Sequence, residues 1–160
     1  RAYTYLMDTW EPGDEVYLCG FSRGAYTVRV LAAMQDALGL LPARSHNLVP
    51  YAVRQFARAP QTPGDVDAFN AFVDLCDEFR STFARAIPGR ADRRFPVRFL
   101  GVWDTVSSVG WVWEPKSFPY TRTNPSVAIV RHAVALDERR AFFRQNLFAR
   151  ADGQDLEQLW

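Results

Sequence analysis

Apolar residues recur along the chain at two spacings, and each spacing predicts a different kind of element. Nearly continuous apolar runs at 15–21 and 95–102 are typical of strands in a parallel sheet that is covered on both faces. Apolar residues three or four positions apart predict helices, and they do so at 1–10, 23–38, 44–58 and 66–86. Strands that alternate with helices indicate an α/β fold with a doubly wound, mostly parallel sheet and flanking helices.

The remaining apolar segments are less regular. Residues 107–123 hold two tryptophans and two prolines and are predicted to form an aromatic loop. Asn124-Pro125 has the form of a helix cap, so 125–136 is interpreted as a helix. A strand is the competing interpretation there, because β-branched residues are frequent. Residues 156–160 are expected to open a third strand.

A Gly-x-Ser-x-Gly pattern lies where the first predicted strand meets a predicted helix, at 20–24. In this context the pattern predicts a nucleophile elbow, in which a strained turn presents the hydroxyl of Ser22 beyond the strand. Gly20 and Gly24 are expected to be small because strand and helix pass close together. The helix N-terminus and the backbone amide of Arg23 are expected to stabilise an oxyanion.

A serine hydroxyl becomes a useful nucleophile only beside a base, and the base needs an acid to orient it. Asp104 directly follows the second predicted strand, at the sheet edge where Ser22 is also expected. It is therefore the candidate acid, although an aspartate that caps a loop is the simpler explanation. Asp137 is the reserve candidate.

The base has few candidates, because the chain has two histidines, His46 and His132. His46 lies in a polar loop segment, where a surface role is more common. His132 keeps the chain order serine, acid, histidine and is the candidate base. Two alternatives stay open: His132 is a packed histidine within a helix, or the base lies beyond Trp160.

The charge pattern argues against nucleic acid as a partner. The net charge is +1, and the one basic cluster is better explained as a solvated loop: Arg90, Arg93, Arg94 and Arg98. Cys19 and Cys76 lie in apolar contexts and are expected to be reduced core thiols. No cluster of histidine, cysteine and carboxylate residues has metal-ligand spacing, so neither a metal nor another cofactor is expected.

The sequence has no signal-peptide pattern and no apolar run long enough to span a bilayer. Its first residue, Arg1, falls within a helical pattern, and its last, Trp160, falls where a new apolar run begins. We therefore expect residues 1–160 to be the central part of a single domain, with no internal boundary. A part with few strands is expected to fold poorly without its flanks.

Four segments together resemble a known family: 12–18 (Pro-Gly-Asp-Glu-Val-Tyr-Leu), 20–27 (Gly-Phe-Ser-Arg-Gly-Ala-Tyr-Thr), 99–106 (Phe-Leu-Gly-Val-Trp-Asp-Thr-Val) and 131–140 (Arg-His-Ala-Val-Ala-Leu-Asp-Glu-Arg-Arg). Their combination is similar to the α/β-hydrolase domain of type VI secretion lipase effectors of the first class. That family was long catalogued as a domain of unknown function. The resemblance implies an α/β-hydrolase-like fold that cleaves phospholipid acyl esters, with Ser22 as nucleophile and Asp104 as a site carboxylate.

The same resemblance implies a lipid or ester substrate, and it adds secretion-apparatus and immunity proteins as candidate partners. It also implies synthesis in the cytoplasm followed by export through a type VI secretion system. The family's early Asp-Gly-Thr-type loop and its late Gly-Val-His-Ser-Asp-Val-Gly segment are not in this sequence. The late segment would begin a few residues after Trp160 and would supply the catalytic histidine.

A second hypothesis belongs to a different class of function. The chain would then be a catalytically inactive structural or interaction module that binds a partner or a membrane surface. The aromatic loop at 107–123 and the aromatic stripe of 66–86 would provide the contacts. A core role for the stripe is the simpler interpretation.

Overall fold

The structure, a computed structural model, describes residues 1–62, 64–106, 118–136 and 147–160. Most of the predicted aromatic loop and the reserve acid Asp137 lie outside these residues. Helices and strands are both present and the α/β fold is confirmed, although three strands follow one another at the end of the chain with no described helix between them. They are α1 (Ala2–Thr9), β1 (Tyr17–Phe21), α2 (Arg23–Leu38), α3 (Val49–Phe56), α4 (Val66–Phe83), β2 (Val97–Trp103), β3 (Val127–Ala133) and β4 (Asp155–Leu159).

Local signals explain where the helices begin and end. Gly39 ends α2 with a φ of 68°, a conformation that glycine adopts without strain. The side chain of Asp65 caps α4 by accepting a hydrogen bond from the Ala68 N–H at 3.0 Å. α3 begins at Val49 rather than at 44, and Arg44 itself has a φ of 66°, which is not helical.

The four strands form one parallel sheet in the order β1-β2-β3-β4. Their last residues are register partners: Phe21 pairs with Trp103, Trp103 with Ala133, and Ala133 with Leu159. Because all strands run in the same direction, the chain leaves all of them at one edge of the sheet. In such sheets this is the edge where ligands bind.

The prediction of a helix at 125–136 is wrong, because Val127–Ala133 is strand β3. Its backbone pairs with β2 on one side and β4 on the other. That pairing comes from distant parts of the sequence, and it suits the β-branched side chains. The side chain of Asn124 accepts a hydrogen bond from the Ser126 N–H at 3.0 Å and forms a turn rather than a helix cap.

Backbone contacts divide the chain into two units, residues 1–14 with 34–95 and residues 15–33 with 96–160. The first unit is helical, and its core includes an edge-to-face pair between Trp10 and Phe95. The second unit contains the sheet and the first part of α2. The expectation of a single domain over residues 1–160 stays a prediction.

The two faces of the sheet differ in exposure. Register partners Leu18, Leu100 and Val130 are buried on one face. Large apolar residues are exposed on the other: Tyr17 (59%), Phe21 (56%), Trp103 (45%) and Leu159 (59%). The prediction that these strands are covered on both faces is therefore wrong for the part of the chain described.

The two cysteines also differ. Cys19 lies on β1 and is exposed, so the prediction that it is a core thiol is wrong. Cys76 on α4 is buried as predicted, and its burial raises the pKa of the thiol to about 12. Both are free thiols.

Two arginines of the basic cluster, both in the first unit, are more structural than predicted. Arg93 donates to the carbonyls of Ser81 and Ala84 at 2.8 and 3.0 Å, which lack N–H donors within the helix at the end of α4. Arg94 donates to the buried carboxylate of Asp36 at 2.8 Å. These two arginines therefore fix the loop by hydrogen bonds, whereas the sequence predicted that their side chains would be solvated.

Candidate active site

Ser22 occupies the single position between β1 and α2. Its backbone N–H donates to the carbonyl of Trp103 at 3.0 Å, and its own carbonyl accepts from the N–H of Tyr26 at 3.3 Å. Ser22 therefore belongs at once to the strand pairing and to the first turn of the helix. Its φ of 54° lies in the left-handed region, which a serine adopts at a cost and which is common at functional sites.

Close approach of strand and helix explains Gly20. A Cβ atom at this position would lie 2.5 Å from the carbonyl oxygen of Gly24 and 2.7 Å from the Cα of Ala25. Steric exclusion is thus confirmed at Gly20. A Cβ atom at Gly24 would meet no described atom within 4 Å, so the same steric reason is wrong there.

Asp104 follows β2 directly and has a φ of 49°. Its backbone N–H donates to the carbonyl of Ala133 at the end of β3, at 2.9 Å. The carboxylate is half-buried and makes no hydrogen bond or ion pair with the described residues. Because Phe21 and Trp103 are register partners, the structure brings Ser22 and Asp104 to the same edge of the sheet on neighbouring strands.

His132 is buried on β3, at 3% exposure. Its Nε2 lies 3.3 Å from the hydroxyl of Thr105, and its Nδ1 lies 3.1 Å from Oε1 of Gln158. Burial lowers the pKa of His132, the Gln158 hydrogen bond opposes this, and the charge of Arg29 adds to the lowering. Within the described chain, its ring nitrogens contact neither Ser22 nor Asp104.

The other histidine, His46, belongs to the first unit and is exposed. Its Nε2 lies 3.2 Å from a carboxylate oxygen of Asp8. This agrees with the surface role expected from the sequence, and nothing in its surroundings suggests catalysis.

Sequence reasoning missed Arg29, which is 1% exposed on α2. Its guanidinium donates twice to the carbonyl of Thr121, at 2.9 and 2.7 Å, and stacks 3.8 Å from the ring centre of Phe148. Burial lowers the pKa of Arg29 to about 10. The available signal was its position four residues after Ala25, on the face of the helix that is buried.

An open depression lies on the exposed face of the sheet and is lined by residues that include Cys19, Trp103, Arg131, Glu157 and Leu159. Neither Ser22 nor Asp104 lines this depression. The guanidinium of Arg131 is paired within it, with Glu157 at 3.2 Å. The depression reaches the edge that carries the candidate serine, because Trp103 and Leu159 are the last residues of β2 and β4, and His132 also lines it.

Two further features bear on the kind of site. Among residues 1–62, 64–106, 118–136 and 147–160, no group of histidine, cysteine and carboxylate side chains could hold a metal ion. In the same part of the chain, no helix combines the length and the apolar character that crossing a bilayer requires.

The parallel sheet with flanking helices defines an α/β-hydrolase-like fold. A family model described as the catalytic domain of Tle1-like phospholipase effectors of type VI secretion matches residues 1–160. The chain therefore belongs to this family, which confirms the resemblance found in the sequence. Membership supports a lipase type of function and a secreted class of protein.

A curated relative adds a second comparison. The uncharacterized protein YEL023C of Saccharomyces cerevisiae is 38% identical over 149 residues, which is 92% of this chain and 20% of the relative. The chain therefore spans about a fifth of that relative's length. No solved structure matches the chain.

Proposed function

We propose that the protein is a serine ester hydrolase of the phospholipase type, with Ser22 as nucleophile and Asp104 as the acid. The observation that carries this proposal is the pairing of two strand ends. Ser22 and Asp104 follow register partners on neighbouring strands, and both have left-handed backbone. Membership of a phospholipase effector family supports the lipid substrate.

In the proposed reaction, the Ser22 oxygen attacks the ester carbonyl carbon and its proton passes to a histidine. That histidine then protonates the departing alcohol, and water hydrolyses the acyl-enzyme. Ser22 stands at the N-cap of α2, so the amide of Arg23 is among those without an acceptor inside the helix. We propose this amide as an oxyanion donor, helped by the positive end of the helix dipole.

The base has two candidates. His132 keeps the expected chain order, but its ring nitrogens already face Thr105 and Gln158. A histidine a few residues after Trp160 would follow β4, whose last residue is in register with the end of β3. It would emerge at the edge that carries Ser22, so we propose that the base lies beyond Trp160.

The proposal is tested by replacing the nucleophile in the full-length protein. Ser22→Ala is expected to lower phospholipid hydrolysis by at least ~10⁴-fold while the melting temperature is retained. A fluorophosphonate probe is expected to label the wild type at Ser22 and to leave Ser22→Ala unlabelled.

Ser81→Ala is the matched control, because the Ser81 hydroxyl is exposed on α4 and bonds only the Glu78 carbonyl among described residues. This variant is expected to keep full activity and labelling. Undiminished hydrolysis by Ser22→Ala would contradict the proposal.

We also propose that the 160 residues are the central part of a single domain. The exposed apolar face supports this, because parallel sheets are normally covered on both faces. The greater length of the yeast relative supports it too. Alone, the chain is expected to fold poorly.

We propose that the protein is made in the cytoplasm and exported by a type VI secretion system, with immunity proteins among its partners. Family membership is the only support. A similar chain occurs in a yeast, so export needs its own test. That test is the amount of protein in culture medium with and without a working secretion apparatus.

An inactive binding module is the second candidate function. The observation in its favour is on α4, where Phe69 and Phe83 of the aromatic stripe are 40% and 41% exposed. Phe72 and Cys76 of the same stripe are buried, as a core role requires. Binding to phospholipid vesicles without labelling by the serine probe would favour this second function.

A further inference from the structure

The orientation of the Gln158 side chain is determined by one neighbouring residue. The backbone N–H of Phe148 donates to Oε1 of Gln158 at 2.9 Å, and Nε2 of Gln158 donates to the carbonyl of Phe148 at 3.2 Å. A flipped amide would set donor against donor and acceptor against acceptor. Oε1 is therefore the atom that faces His132.

This orientation determines which nitrogen of His132 carries the proton. Nδ1 lies 3.1 Å from Oε1 of Gln158, and an amide oxygen can only accept, so Nδ1 must donate. In a neutral imidazole the other nitrogen accepts. The hydroxyl of Thr105, 3.3 Å from Nε2, is then the donor.

The surroundings of the ring favour the neutral form. The ring of Phe148 meets that of His132 edge-on at 5.6 Å, and the guanidinium of Arg29 stacks on Phe148. A second positive charge near Arg29 in a buried site would be unfavourable. Burial accordingly lowers the pKa of His132.

His132 is connected to Asp104 through the residue that follows Asp104. Thr105 is 4% exposed and bonds the imidazole, while the Asp104 N–H donates to Ala133, the neighbour of His132 on β3. The turn that begins with Asp104 is thus held by one side chain and one backbone group of β3. A residue with left-handed φ persists only when such contacts hold it.

We propose that His132 is a positioning residue, which as a neutral imidazole protonated on Nδ1 holds Thr105 and so fixes the turn that presents Asp104. The proposal rests on the proposed function for the role of Asp104, but not for the tautomer. A general base would need Ser22 within reach, whereas His132 is engaged by Thr105 and Gln158.

The tautomer can be measured without any assay of activity. In the full-length protein labelled with ¹⁵N-histidine, nuclear magnetic resonance at about pH 7.5 is expected to show one imidazole that is neutral and protonated on Nδ1. Its signal is expected to vanish in His132→Asn. An Nε2-protonated ring, or an imidazolium, would overturn the proposal even if the protein is a serine hydrolase.

A matched pair of variants tests the link to Asp104. Thr105→Val removes the hydroxyl at nearly constant volume and is expected to lower kcat roughly tenfold with KM unchanged, the effect of a misplaced acid. Thr105→Ser keeps the hydroxyl and is expected to retain wild-type kcat. Equal kcat in both variants would overturn the proposal.

His132→Asn separates a positioning role from a base. Positioning predicts a loss of kcat similar to that of Thr105→Val, with the acidic limb of the pH–rate profile unchanged. A loss as large as that of Ser22→Ala, together with loss of the acidic limb, would make His132 the base. Retained hydrolysis in Ser22→Ala would instead count against the proposed function and leave the tautomer measurement valid.

Discussion

The buried imidazole at His132 couples the stability of the fold to pH. Burial lowers its pKa from the ordinary value of 6.5. As the pH falls, the unfolded chain therefore takes up a proton at this site at a higher pH than the folded chain does. Between the two pKa values the unfolded state binds more protons, and stability rises with pH. The contribution is complete above about pH 6.5 and is lost as the pH falls through the lower folded value.

We therefore predict that the free energy of unfolding of the full-length protein falls as the pH is lowered from 7 to 5. The free energy of unfolding of His132→Asn is predicted to fall less steeply over the same range. Arg29, which stacks on Phe148, is the charged group that acts on the pKa of the imidazole. Arg131 and Glu157 line the same depression as His132 and are paired with each other at 3.2 Å. Urea unfolding at several pH values measures the slope. His46→Asn is the control, since His46 is exposed, and equal slopes for His132→Asn and wild type would contradict the prediction.

Residue-level geometry was predictable only where its causes are local. The turn at Ser22 follows from glycines two positions away and from the adjoining strand and helix. The left-handed φ of Asp104 has no such local signal, because it depends on a hydrogen bond to Ala133 of β3. The burial of His132 likewise depends on Gln158 of β4, which lies far away in the sequence.

Among the elements, β1 and α2 make the contact that matters most to the candidate site. The three atoms nearest to a Cβ atom at Gly20 would be backbone atoms of Gly24 and Ala25, at 2.5 to 2.7 Å. Backbone cannot rotate away as a flexible side chain can. Any side chain at Gly20 therefore requires α2 to move, and Ser22 connects the two elements.

Gly20→Ala is predicted to destabilise the full-length protein by about 1–3 kcal/mol, as overpacking does, and to lower hydrolysis as well. Gly24→Ala is the matched control, because its Cβ atom meets no described atom within 4 Å and alanine favours a helix. This control is expected to be as stable as the wild type. Chemical unfolding and ester hydrolysis measure both effects, and an equally stable Gly20→Ala would contradict the steric argument.

Elements differed in how well their sequences predicted them. α2 and α4 carry their own periodicity, and a glycine or an aspartate marks an end of each, so their bounds were close to prediction. β3 carries apolar residues that satisfy both helical and extended patterns. The choice between them was made by pairing with β2 and β4, which local sequence does not encode.

At the scale of the whole molecule, the exposed face of the sheet is the main unexplained surface. Aromatic residues of β1 and β2 pair across it, Tyr17 with Phe99 and Phe21 with Trp103. Parallel sheets normally have both faces covered. The curated relative is about five times as long as the segment it shares with this chain. Both observations favour further segments of the full-length protein as the cover.

Cys19 is a direct probe of that cover, because it is exposed on this face in the described part of the chain. If other segments cover the face, Cys19 is predicted to react with a thiol reagent at least ~10²-fold more slowly in the native full-length protein than in urea. The reason is that a thiol protected by stable packing reacts only when the protein opens locally. Peptide mapping by mass spectrometry measures this rate at the one thiol. Cys76 is the internal reference, because it is buried within the chain itself and must be protected in either case. Native labelling of Cys19 at the unfolded rate, with Cys76 protected, would mean that the aromatic face is open in the whole protein.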